Sequence, residues 1–217
     1  MKKETGTRFR IAAGMLALFL LWTAALRLID VQAIGPQGSA VGFASINRCF
    51  HDFTGVHMFL YRITDLWSLV PLGIVTGFAL LGLRQWIERK SLRKVDFTLL
   101  VLGGFYVVVM AVYAFFETVT VNYRPVLIDD VLEGSYPSST TMLVLCVMPT
   151  AILQLRARIQ SPVFKRCLTF AMTAFTAFMV IGRLLSGVHW LTDIIGGILL
   201  SAGLVMMYHA ICRSAAK

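Results

Sequence analysis

Gly182-Arg-Leu-Leu-Ser-Gly-Val-His-Trp-Leu-Thr-Asp-Ile-Ile-Gly-Gly197 is a short polar break between two long apolar runs. The runs on either side, from about Cys167 to Leu185 and on to about Ile211, are each long enough to cross a bilayer, which takes roughly 18 apolar residues or more. Between them sit an arginine (Arg183), a histidine (His189) and an aspartate (Asp193). If the segment after Gly187 is helical, His189 and Asp193 lie four residues apart on one face. Asp193 would then accept the Nδ1 proton of His189, fixing its tautomer and leaving Nε2 free to attack or to accept a proton.

The rest of the chain has the same character. Of its 217 residues 58% are hydrophobic and only 14% charged, and the mean hydropathy is +0.77. A soluble domain carries about a quarter charged residues. The expected fold is therefore all-α: a polytopic membrane protein, one six-transmembrane-helix bundle over residues 1–217, with an interfacial helix in the first outer loop. A net charge of +9 in a soluble protein would point to nucleic acid. Here the basic residues gather at the ends of apolar runs, where orientation signals and anionic headgroups account for them. Membrane lipids, and not nucleic acid, are the expected partners. The cysteines (Cys49, Cys146, Cys167, Cys212) are widely scattered, which suggests neither a disulfide framework nor a zinc site.

In chain order, a basic start precedes an apolar run from Ile11 to about Ile29, longer than the 7–15 apolar residues of a secretory leader, so a retained first span is expected. From Asp30 to about Asp65 the chain is mixed, broken by Gly35-Pro36, Gly38 and Gly42, with the interfacial helix placed there. His51, Asp52 and His57 invite a metal, but their spacing matches no defined motif. Further spans are expected at about Leu66–Leu83, Phe97–Phe116, Ser138–Leu155 (with Pro149 as a kink), Cys167–Leu185 and up to Ile211.

Six spans put both termini on one side. That side carries fifteen Lys and Arg, the other only Arg27, Arg48, Arg62, Arg124 and Arg183. The positive-inside bias makes the first side cytoplasmic. The loops bearing Asp52, Arg124, Ser138, Arg183 and His189 are then expected to face outward from the plasma (inner) membrane.

Three polar segments meet at the outer ends of the later spans: Glu117-Thr-Val-Thr-Val-Asn-Tyr-Arg124-Pro125, Tyr136-Pro137-Ser138-Ser139-Thr140-Thr141, and the stretch from Gly182. In order and spacing they resemble the type 2 phosphatidic acid phosphatases, integral-membrane lipid phosphate phosphatases, over roughly residues 60–212. Gly182-Arg183, His189 and Asp193 match that family's third motif, with glycine in place of its serine. Pro137-Ser138 match the start of its second, Pro-Ser-Gly-His, with Ser139 and Thr140 replacing the last two residues. Arg124-Pro125 match its first, with Glu117 at the lysine position.

The resemblance implies a phosphorylated lipid substrate and no metal or cofactor. His189 would attack phosphorus and form a phosphohistidine that water hydrolyses. Asp193 would orient the ring, and Arg124 and Arg183 would hold the phosphoryl oxygens. Ser138, Ser139 and Thr140 would add hydroxyls and backbone donors at a helix N-terminus, Ser138 also suiting an N-cap. Glu117, at a membrane boundary, reads as a structural or arginine-pairing group in preference to a catalyst.

Thr140 cannot serve as the family's general acid near neutral pH. An alkoxide leaving group resembles the conjugate base of water, whose pKa is about 16, and needs a proton. A phosphate leaving group, with a pKa of about 6, barely needs one. A diphosphate such as a polyprenyl diphosphate is thereby favoured over a monoester, unless His51 or His57 supplies the proton. Phosphoryl transfer to another acceptor, and lipid-phosphate binding with weak or absent turnover, stay open as alternatives.

Overall fold

In the computed structural model, which describes residues 2–215, the chain is helical with short connections. The helices are α1 (Lys2–Leu28), α2 (Ala44–Thr54), α3 (Met58–Trp67), α4 (Leu69–Arg89), α5 (Phe97–Thr118), α6 (Ser139–Arg158), α7 (Pro162–Leu185) and α8 (Leu191–Ala215). Among the described residues six stretches are long and apolar enough to cross a membrane: Gly6–Leu28, Met58–Arg89, Phe97–Thr118, Ser139–Arg158, Pro162–Leu185 and Leu191–Ser214. The protein is an integral membrane protein, as its apolar runs imply.

Two boundaries differ from the sequence expectation. The second span begins at Met58 and not at Leu66, because α3 leads almost directly into α4. Pro71 explains the joint at Ser68: it lacks an N–H and its ring crowds the carbonyl four residues earlier, so α4 restarts with the proline in its first turn. The fifth span begins at Pro162. Ser161 caps it by accepting from Phe164 N at 3.3 Å, and proline at the first helical position is preorganised for a start.

Residues 58–61 of the mixed segment open α3 and belong to the second span; the short helix of the loop before it is α2. Its polar side faces the bundle: Asn47 is buried, donates to Gly42 O (2.8 Å) and Thr192 Oγ1 (2.9 Å), and accepts from Thr192 N (3.3 Å). Its other side leaves Ile46 and Phe53 exposed, and Phe59 of α3 continues that apolar surface. Here the amphipathic pattern presses polar groups into protein and turns apolar ones outward, as suits a helix at a membrane surface.

The centre is built on α6, whose Val144, Cys146, Val147, Met148 and Ala151 are fully buried, with α8 packed along it and α1 packed along α8. Lipid tails are as apolar as leucine, so helix association in a bilayer rests on close packing and interhelical hydrogen bonds. Ser201 Oγ donates to Met142 O at 3.3 Å, and Gln154 Nε2 to Thr98 O at 2.9 Å. Gly196 matters for the site: a Cβ there would lie 2.3 Å from the Tyr136 ring. Its absence lets the segment before α6 lie directly on α8.

Candidate active site

The segment from Val119 to Ser138 folds back on itself over one end of the bundle. Arg124 N donates to Glu133 O (3.0 Å) and Ser135 N to Asn122 O (2.9 Å), closing a short antiparallel pairing. Trp190 Nε1 donates to Tyr123 O (2.7 Å), and Asn122 Nδ2 reaches Asp193 Oδ1 (3.4 Å). Residues more than sixty apart in sequence are thereby locked together, and Arg124 is carried to His189.

His189 lies in the turn before α8 and not on the helix, so its spacing from Asp193 is not a helical i,i+4 contact. The expected Asp193 acceptor is accordingly replaced. Nδ1 of His189 is 3.1 Å from Ser135 O and 3.7 Å from Asp193 Oδ2. A carbonyl can only accept, so Nδ1 carries the proton and Ser135 fixes the tautomer. Asp193 instead sits in the first turn of α8, where Oδ2 accepts from Trp190 N at 2.9 Å, the reach-back half of a capping box.

Nε2 is then the free nitrogen. Arg124 Nη1 lies 3.4 Å from it, and a guanidinium has only donors, so Nε2 presents its lone pair. The imidazole is 3% exposed. Burial first, then the positive charges of Arg124 and Arg183, hold its pKa well below the ordinary 6.5. The histidine is poised neutral, with an unprotonated nitrogen pointing at an arginine fork.

Both arginines are buried, and both are braced by carboxylates that sequence reasoning missed. Arg183 Nη2 pairs with Asp65 Oδ1 at 3.1 Å, and its Nη1 reaches Thr64 Oγ1 (3.3 Å) and Tyr61 O (3.4 Å). Arg124 Nε pairs with Glu133 Oε2 at 2.9 Å. The Tyr61 ring lies 4.7 Å from the Arg183 guanidinium carbon and 5.9 Å from that of Arg124, within cation–π reach of each. Gly182 allows this arrangement: a Cβ there would lie 2.8 Å from Thr64 Cγ2, so glycine lets α3 press against α7.

Two neighbouring cavities open on the constellation. One of about 50 Å³ is bordered by His189, Arg124, Ser135, Ser139, Tyr113 and Glu117. The other, of about 590 Å³, is bordered by Arg124, Arg183, Ser139, Thr140 and the carboxylates Asp65, Glu117 and Glu133. Ser139 and Thr140 thus stand at the cavity, beside the unpaired backbone N–H groups that a helix start provides. Ser138 occupies the cap position of α6, but its side chain makes no cap bond. It is fully buried, and its hydroxyl has no hydrogen-bond partner.

Glu117 is not the arginine-pairing group; Glu133 is. His51 stacks near Trp190, with ring centroids 5.5 Å apart, and His57 Nε2 lies 2.9 Å from Thr54 O. Neither borders the two cavities, so neither is placed to protonate an oxygen leaving a phosphorus held there. Among the described residues no three His, Cys, Asp or Glu gather as a metal site.

Residues 112–215 match the model of the PAP2 superfamily. The chain resembles that family. The PAP2 match runs from the end of α5 through α8 and so takes in every candidate site residue except those of α3. A solved structure, the first transmembrane PAP2 type phosphatidylglycerolphosphate phosphatase from Bacillus subtilis, superposes with a TM-score of 0.59 at 19% identity, over 94% of this chain and 96% of that one. At that identity the likeness is one of fold. No curated protein matches the chain.

Proposed function

We propose that the protein is a membrane phosphatase acting on a lipid phosphate or diphosphate at the outer leaflet, through a phosphohistidine on His189. One observation carries this: a neutral imidazole whose Nε2, freed by the Nδ1–Ser135 bond, faces Arg124 Nη1 at 3.4 Å. The PAP2 resemblance supplies the reaction class, and the excess of basic residues on the opposite face supports outward orientation.

In the first half-reaction the Nε2 lone pair attacks phosphorus and the bond to the leaving oxygen breaks, the oxygen keeping the electron pair. Arg124 and Arg183 stabilise the charge that gathers on the phosphoryl oxygens, with the backbone N–H groups at the start of α6. Asp193, 3.7 Å from the ring, offsets the positive charge that forms on the imidazole. Water then attacks phosphorus, the P–N bond breaks, and inorganic phosphate leaves. Thr140, where the PAP2 pattern has a histidine, offers no proton to the leaving group, which favours a polyprenyl diphosphate over a phosphatidate-type monoester.

The test is phosphate release from a panel of lipid phosphates and diphosphates by the purified protein in detergent. His189→Ala is expected to abolish release. Phosphate release by that variant at the parent rate would refute the mechanism.

A further inference from the structure

We infer that Glu117 is the base that activates water against the phosphohistidine; the inference rests on the mechanism just proposed.

Three carboxylates border the larger cavity. Asp65 and Glu133 are each ion-paired with an arginine, at 3.1 and 2.9 Å. Among the described residues Glu117 has no such partner; its neighbour is the Tyr113 hydroxyl, one turn earlier on α5. It is also the one carboxylate of the three that borders the small cavity with His189. Among the described residues Glu117 is therefore the carboxylate of the three without an ion pair, at the border of the space in which the phosphoryl group would sit.

The chemistry of a double displacement gives that position its role. The leaving group departs from, and the water arrives on, the side of phosphorus away from Nε2. One protein group on that side can serve both halves, as acid and then as base, in the way one carboxyl serves retaining glycosidases. Thr140 does neither near neutral pH. Glu117 borders the cavity and can take a proton. It assists the second half, in which the water oxygen bonds to phosphorus, the water proton passes to Glu117, and the P–N bond breaks with its electron pair returning to His189. Glutamate at the family's lysine position thus exchanges a phosphate-binding charge for a base.

The experiment uses the full-length protein in detergent with farnesyl diphosphate labelled with ³²P on its terminal phosphorus. Glu117→Gln is expected to release farnesyl monophosphate in a first-turnover burst while slowing phosphate release about 100-fold. Label should then accumulate on the protein, acid-labile and alkali-stable, towards one per chain; in Glu117→Ala, where truncation leaves room, added formate should restore part of the turnover. The inference is overturned if Glu117→Gln turns over like the parent, or if labelling and release slow together without accumulation. If no protein is ever labelled, or His189→Ala is labelled like the parent, it is the phosphohistidine mechanism itself that fails.

Discussion

Replacing Gly182 by serine brings the chain closer to the PAP2 pattern, and the structure predicts that it does harm. A Cβ at that position would lie 2.8 Å from Thr64 Cγ2 and 3.5 Å from Leu60 Cδ1. The first distance is below any normal carbon contact and the second is ordinary. Such overpacking costs about 1–3 kcal/mol, against a helix-propensity gain of at most about 0.5 kcal/mol for leaving glycine. For a chain of this length each kcal/mol lowers the melting temperature by about 2–4 °C, so Gly182→Ser should melt roughly 1–12 °C below the parent in detergent. It should also lose activity, because Thr64 Oγ1 and Asp65 Oδ1 hold Arg183 at 3.3 and 3.1 Å and shift with α3. Thr64→Ser removes the offending methyl and keeps the hydroxyl that meets Arg183. The double variant should therefore recover most of the lost stability, a coupling of about 1 kcal/mol or more in a double-mutant cycle. Melts of the four proteins decide the matter. If Gly182→Ser melts with the parent, or if Thr64→Ser adds its own loss instead of relieving the first, then α3 is not wedged against α7 as described.

Two further outcomes are expected. In the proposed mechanism His189 attacks only when unprotonated, and its pKa is held well below 6.5 by burial and then by Arg124 and Arg183. The acid limb of kcat/KM should therefore fall well below pH 6.5, and in Arg124→Gln, with one of those charges gone, it should move up towards that value; a limb that does not move excludes Arg124 as a neighbour of Nε2. For orientation, Cys49 is exposed on α2 and Cys167 is exposed at the opposite end of the bundle, on α7. A membrane-impermeant maleimide applied to intact cells should label Cys49, with the signal lost in Cys49→Ser, and should reach Cys167 only after permeabilisation. The reverse pattern would put the site on the cytoplasmic side.

The bundle was legible because its signals are local. A run of about twenty apolar residues states its own conformation, since a bilayer leaves the backbone no partner but itself, and each of the six expected spans has its helix. Boundaries were harder where a single residue decides them, such as Pro71 restarting α4 or Ser161-Pro162 opening α7 inside a basic stretch. The site was legible where its members lie along one segment: Arg183, His189 and Asp193 are neighbours in sequence as well as in space. What the pattern hid was how they are wired. The four-residue spacing of His189 and Asp193 suggested a helical pair, yet the ring lies just outside α8 and donates its Nδ1–H to Ser135 O, fifty-four residues away. No periodicity encodes a carbonyl in a folded-back loop.

The same limit misassigned the acidic residues, and its physical origin sharpens the chemistry. From sequence, any of several carboxylates near the outer boundary could neutralise the two arginines, and Glu117, seven residues before Arg124, was an obvious candidate. The backbone pairing between Arg124 and Glu133 settles the competition by bringing the later glutamate alongside, with Arg124 Nε 2.9 Å from its carboxylate, while α3 delivers Asp65 to Arg183. A buried arginine without a counterion would cost several kcal/mol, so both pairings are structural needs met by residues outside the motifs. Glu117 is released from that duty by geometry alone. At the end of α5 its carboxyl group is left without an ion pair among the described residues, beside the cavity that His189 also borders. A counterion for Arg124 in its place would make Glu117→Gln destabilising and activity-neutral once refolded; a base makes it stable and slow at one half-reaction, and the phosphoenzyme distinguishes them.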